Sequence, residues 1–390
     1  MRQTTTLVHG DRDLRERGPI SPPIAQTSTF ESESDERLAE LALEKLGHAF
    51  YTRHGNPNHA QAAALIAQLE GAETALVTAS GMGAATTAVL ALTKSGDHIV
   101  AQRDLYAGVV GVLLNLVPRF GVEVTQVDQS DVEAFEQAMR PNTTLILLET
   151  PSNPKLRVTD LRAVSDIASS HGALTMADNT FATPINQRPL EHGIDLVWHS
   201  ATKYLGGHSD LSAGAIAGDA ELIEQIYDTA LLTGAVLGPF DAWLLIRGMR
   251  TLELRVERHN ANGVALATAA SQHEAVSHVH YPGLPDHPQH ATAARQMSGY
   301  GGVVTLDLGS FEAAGAFIEN LRYAKRSASV GSVGSLVIHP AAMWTGVLEP
   351  DQLVTLGLGT GLVRFAAGIE DEEDLVEDVI AALDAVRPAR

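Results

Sequence analysis

The sequence predicts an α/β protein built on a mainly parallel sheet, followed by a smaller α+β unit. Three observations carry that expectation. From about residue 59 to about 250, short apolar runs alternate with helix-like segments, the pattern of a parallel sheet covered by helices on both faces. A chain of 390 residues that is 45% hydrophobic can bury more than one core. A long helical stretch at 239–272 separates this alternation from a second set of elements.

Taken in order, residues 1 to about 55 read as irregular. The proline-rich GPISPPIAQTSTF suggests an extended arm, with a short helix only at 35–46. Such an arm is suited to reaching a neighbouring subunit. From His59, HAQAAALIAQLEG has helical spacing, TALVTAS reads as a strand, and another helix begins near Met82. The apolar runs HIVAQ, VEVTQVD, TTLILLET, LTMADN and LVWHS continue the alternation. After the helical stretch come HVHYPG, GGVVTLDLG and LVRFAAGIE. The closing run GIEDEEDLVEDVIAALDAV sets Leu, Val and Ile at helical spacing, which predicts a surface helix with a solvated acidic face. The expected organisation is an arm at 1–58, a large unit at 59–250 and a small unit at 251–390, with no internal repeat.

Composition narrows the function. The 47 acidic against 27 basic residues give a net charge of -20, which repels nucleic acid and anionic membrane surfaces. The N-terminus lacks the apolar core of a signal peptide, and no stretch of about 20 apolar residues occurs, so a cytoplasmic protein is expected. With no cysteine, disulfides, thiolate nucleophiles and cysteine-ligated metals are excluded together.

The chemistry concentrates in DLVWHSATKYLGGHS, Asp195 to Ser209, which carries Lys203, one of only five lysines. A primary amine at a strand end, flanked by Ser200 and Thr202, can condense with an aldehyde while the hydroxyls bind a phosphate on the same ligand. Pyridoxal phosphate presents both groups. In ASGMGA, residues 79–84, the backbone N–H groups of Gly81 and Met82 and the Ser80 hydroxyl can hold phosphate at the start of a helix. The G-x-G-x-x-G spacing of a dinucleotide loop is missing there and in GLGTG at 357–361.

The lysine segment resembles the signature of the Cys/Met-metabolism family of pyridoxal-phosphate enzymes, which includes cystathionine γ-synthase, cystathionine lyases, methionine γ-lyase and the homoserine sulfhydrylases. The resemblance runs along the whole chain. It implies the fold-type-I architecture of aspartate aminotransferase, with a large domain on a mainly parallel seven-stranded sheet and a small C-terminal domain. It implies Lys203 as the Schiff-base lysine, Asp178 of ADNT as partner of the pyridine nitrogen, and Tyr106 of RDLYAGV as the aromatic stacked on the ring and a proton donor. Asn153 of ETPSNP is implied near the ring oxygen and the substrate. YTRHGNP resembles the family's YSRxGNP, so Tyr51 and Arg53 are implied to bind the phosphate of an adjacent subunit, with Tyr51 also near the substrate. LVRFAAGIE resembles LVRLSVGIE, which implies that Arg364 grips the substrate α-carboxylate, and SASVGSVGSLVIHPAAM places Ser329 beside it. A homotetramer assembled as a dimer of dimers, with shared active sites, follows from the same resemblance.

That resemblance implies removal of the Cα proton by Lys203, activation of Cβ, and loss of a group from Cγ. Elimination to a 2-oxo acid and replacement by a thiol diverge only afterwards. The distal positions carry Ala328 where cystathionine-using relatives commonly have Glu, Gly111 where synthases often have Arg, and Phe50 where some have an acid; Gly108, Gly334 and Trp344 also depart from relatives. A pocket without charge desolvates a thioether more cheaply than a second zwitterion. The expected activity is therefore γ-elimination of the methionine γ-lyase or cystathionine γ-lyase kind. The alternatives are γ-replacement, as in O-acetyl- or O-succinylhomoserine sulfhydrylase and cystathionine γ-synthase, and a catalytically silent pyridoxal-phosphate-binding protein. His278, His280, His287 and His290 invite a metal site, but their loop resembles one of this metal-independent family, so surface histidines and no metal are expected.

Overall fold

In the computed structural model, which describes residues 1–15, 18–343 and 359–386, the chain divides into two compact units. The first comprises Met1–Glu149 and Thr159–Glu253; the second comprises Thr150–Val158 and Leu254–Arg390. The division is not a single cut, because the short segment that carries Asn153 goes with the C-terminal unit.

The first unit is built on seven strands, β1 (Thr74–Thr78), β2 (His98–Gln102), β3 (Glu123–Val127), β4 (Thr143–Glu149), β5 (Leu174–Asp178), β6 (Leu196–His199) and β7 (Gly214–Gly218), in the order β1-β7-β6-β5-β4-β2-β3. β2 to β6 run parallel, and β7 is antiparallel to both neighbours. Leu145, Leu147, Met176, Leu196 and Trp198 form one core, while Ile146, Leu148 and Ala177 on the other face pack into a second. Burial on both faces is why these strands read as continuous apolar runs.

Residues 3–9 depart from the expected irregular arm by forming helix α1 (Gln3–His9). Leu7 is buried, its carbonyl accepts from Arg250 Nη1, and the wholly buried Asp11 pairs with Arg15 and Arg250. Tertiary contacts thus override the weak helix preference of its three threonines. Helix α2 spans Asp35–Leu43 with Ser34 as its cap. Helix α3, Pro57–Glu70, has the full set of end signals: an Asn56 side chain accepting from Asn58 N, Pro57 at its first position, and Gly71 in the left-handed region.

The stretch 239–272 is two helices, Pro239–Met249 and Leu252–Ser271, rather than one. In the second unit, β8 (His278–His280), β9 (Val303–Asp307), β10 (Lys325–Arg326), β11 (Leu336–Ile338) and β12 (Leu362–Ala366) form a five-stranded sheet in the order β10-β11-β12-β9-β8. The last helix, Glu372–Asp384, does not keep its whole acidic side in water: Asp378 is buried and accepts from the backbone N–H groups of Arg322 and Tyr323. Among the described residues no helix is long and apolar enough to cross a membrane. Trp344 lies outside them.

Candidate active site

The lysine turn starts where β6 ends. Every residue of β6 is buried, and Trp198 stands in register with Asp178 on β5. Beyond His199 the chain enters a run of turns in which Lys203 N donates to Ser200 O at 3.0 Å and Gly207 N to Lys203 O at 2.7 Å. Gly207 takes a φ of +78°, which side chains rarely adopt. Lys203 is half-buried on this turn. The Thr202 hydroxyl accepts from Ala213 N at 3.0 Å and donates to Ala213 O at 3.2 Å, closing the loop that leads into β7.

The turn from β1 into helix α4 (Gly81–Leu92) is pressed against Ser200. Ser80 caps α4, its hydroxyl accepting from Gly83 N at 3.0 Å. A Cβ on Gly81 would lie 2.7 Å from Ser200 Cβ and 2.8 Å from its Cα, so only glycine allows the approach. The free N–H groups and positive end of α4 therefore meet the start of the lysine turn, a donor set suited to a phosphate.

Asp178 ends β5 and is buried. Burial pushes its carboxyl above the ordinary carboxylate range, while the Thr180 hydroxyl and N–H, the latter at 2.9 Å, pull it back, as does the charge of His199. Thr180 in turn accepts from Ser200 N at 2.8 Å, linking the acid to the lysine turn. Sequence reasoning passed over Thr180, although it lies inside ADNT.

Tyr106 precedes the short helix α5 (Ala107–Gly111) and is 51% exposed. Its backbone N–H donates to Glu149 Oε2 at 2.6 Å, and Glu149 stands in register with Asp178 across β4 and β5. A Cβ on Gly108 would lie 2.7 Å from both Met82 Sδ and Tyr106 Cε1, so Met82 and the Tyr106 ring flank that glycine. Tyr51 and Arg53 lie together, exposed, with the guanidinium 5.6 Å from the Tyr51 ring centroid and Arg53 Nη1 donating to Leu231 O at 3.1 Å. Arg53 also lines a cavity of about 330 Å³ with His59 and Tyr227; Ser80, Asp178 and Lys203 do not line it.

In the second unit, Arg364 on β12 is buried and donates through Nη1 to Asn153 Oδ1 at 2.8 Å and through Nη2 to Ser329 O at 3.0 Å. The contact with Ser329 is through its carbonyl. The Asn153 segment is anchored by Thr305, whose hydroxyl donates to Pro154 O at 2.6 Å. The histidines are not all at the surface, contrary to expectation: His287 is buried and His280 half-buried, and burial holds them near pKa values of about 4 and about 3.

These features meet the requirements of pyridoxal phosphate: an amine on a turn, a buried carboxylate, and a phosphate cradle at a helix start. A family model described as Cys/Met metabolism PLP-dependent enzyme matches residues 4–384. The chain belongs to that family. It is an enzyme that uses pyridoxal phosphate. Among the relatives of this family member, a cystathionine gamma-lyase of Bacillus subtilis is 42% identical over 99% of this chain and 100% of its own length. An L-methionine gamma-lyase of Pseudomonas putida is 42% identical over 98% and 97%. The crystal structure of cystathionine gamma synthase from Xanthomonas oryzae pv. oryzae in complex with aminoacrylate and cysteine superposes with a TM-score of 0.92 at 38% identity, covering 99% of this chain and 98% of that one. The architecture is that of the fold-type-I enzymes.

Proposed function

We propose that this enzyme catalyses γ-elimination on a sulfur-containing L-amino acid, releasing 2-oxobutyrate, ammonia and a thiol. The observation that carries the reading is the residue type at each position that the family resemblance assigns to the distal half of the substrate: Gly111, Phe50 and Ala328 are all uncharged. Among the described residues, a Cβ on Gly111 would meet no atom within 4 Å. An uncharged thioether loses little on entering such surroundings, whereas an unpaired ammonium or carboxylate costs several kcal/mol. The similarity to cystathionine gamma-lyase and L-methionine gamma-lyase supports the same reaction class.

When bound, pyridoxal phosphate supplies an electron sink for negative charge at Cα. The Lys203 amine takes the Cα proton. Arg364 receives the α-carboxylate through paired N–H donors, with Asn153 and Ser329 beside it. The Tyr106 phenol donates a proton to the leaving sulfur. Asp178 would meet the ring nitrogen; the first N–H groups of α4, at Gly81 and Met82, with Ser80 and Ser200, would hold the phosphate. The Thr202 hydroxyl, which also closes the loop to Ala213, shares the side-chain part of that task with Ser80 and Ser200. Tyr51 and Arg53 reach the phosphate of a neighbouring subunit in a cytoplasmic homotetramer, and mixing Arg53→Ala with Lys203→Ala chains restores activity if sites are shared.

The deciding experiment is 2-oxobutyrate release from L-methionine and from L-cystathionine by the holoenzyme without added thiol. Release from methionine is expected. Release from cystathionine alone refutes an uncharged distal pocket, and activity only with acylated homoserine plus sulfide makes the enzyme a sulfhydrylase.

A further inference from the structure

The proposed chemistry leaves one buried titratable pair unused. Glu70, the last residue of α3, is wholly buried, and its Oε1 accepts from His199 Nε2 at 2.6 Å and from Asn179 Nδ2 at 2.9 Å. Its Oε2 has no hydrogen-bond partner among the described residues. Asn179 is locked in turn by Gln187, donating to Gln187 O at 2.9 Å and accepting from Gln187 Nε2 at 3.1 Å. Each partner of Glu70 adjoins a site residue: Asn179 follows Asp178, and His199 precedes Ser200.

A carboxyl group at such depth with one bare oxygen depends on the donors that reach its other oxygen. The 2.6 Å contact with an imidazole nitrogen, away from water, has the length of a charge-assisted hydrogen bond. His199 contacts Glu70 of α3, and a charge on His199 adds to the two Thr180 hydrogen bonds that favour the charged form of Asp178.

We propose that Glu70 and His199 are positioning residues for Asp178: Glu70 holds His199 as an imidazolium and pins Asn179, and the imidazolium keeps the neighbouring carboxylate ionised to meet a protonated ring nitrogen. This rests on the assignment of Asp178 to that nitrogen. A ring nitrogen that loses its proton withdraws electrons less strongly, which makes the nitrogen linking Lys203 to the cofactor more basic.

The test is the pH midpoint of the visible absorption band of the holoenzyme, together with cofactor affinity measured by titrating the apoprotein. Glu70→Gln keeps the shape of the side chain but removes its charge. His199→Tyr keeps a donor for Glu70 but cannot be positive. Both are expected to raise the midpoint by about one pH unit and to weaken cofactor binding about tenfold, with kcat falling more than KM rises. The double variant is expected to match the single ones, because the pair acts as a unit. An unchanged midpoint in either cofactor-loaded variant, with Asp178→Asn shifting it, overturns the proposal. An unchanged midpoint in Asp178→Asn overturns the underlying assignment of Asp178 instead. If His199→Tyr does not fold, Glu70→Gln alone decides the question.

Discussion

The backbone N–H of Tyr106 donates to Glu149 Oε2 at 2.6 Å, fixing the start of α5 to the end of β4. Glu149 is buried, so the bond is shielded from water. Glu149→Gln keeps one acceptor oxygen but replaces the other with an amide donor. The expected result is a kcat lowered about tenfold through misplacement of the Tyr106 ring, read by steady-state kinetics alongside an unchanged cofactor band. Full activity shows that the turn holds itself.

The approach of Gly81 to Ser200 leaves no room for a methyl group. Both atoms met first belong to the Cα and Cβ of Ser200, which cannot swing away as the end of a long side chain can. Gly81→Ala is therefore expected to weaken cofactor affinity at least about tenfold, measured by equilibrium titration of the apoprotein.

Arg364 spends two donors on Asn153 Oδ1 and Ser329 O, a fork that lysine cannot reproduce. Arg364→Lys is expected to raise KM for the amino acid about tenfold or more. The absorption spectrum of the holoenzyme stays as it is. A KM within twofold of the parent, by ordinary kinetic error, removes Arg364 from substrate binding.

His280, His287 and His259 are kept neutral by burial, with pKa values lowered from 6.5 to about 3, about 4 and about 4. The unfolded chain, titrating near 6.5, takes up protons first as pH falls. Their contribution to stability is therefore complete above about pH 6.5 and is lost progressively toward about pH 4. Urea unfolding midpoints should fall through this window, and His280→Asn should flatten the slope between about pH 6.5 and 5, where carboxylates remain ionised.

The parallel strands were legible because burial on both faces leaves little choice but Val, Ile, Leu and Ala. β7, GAIAG, was not, and the reason is steric. A Cβ on Gly214 would sit 2.1 Å from Ser80 O, and one on Gly218 would sit 2.6 Å from Leu196 Cδ2. Close packing against its neighbours demands small residues, which erases the apolar signal. Helix α1 was hidden for the opposite reason: its stability comes from Leu7 and Asp11 meeting Arg250, some 240 residues away, not from local preference.

By itself the sequence determined the chemistry at single points: an amine after a strand, a carboxylate after a strand, glycines at a strand-to-helix turn. Those are local features, written within a few residues. Only the tertiary structure decided which groups support them. Glu70 reaches His199 across 129 residues, Glu149 reaches Tyr106 across 43, and Arg364 reaches Asn153 across 211. Such pairs depend on how strands and helices pack, and periodicity along one segment carries no record of the partner that packing brings.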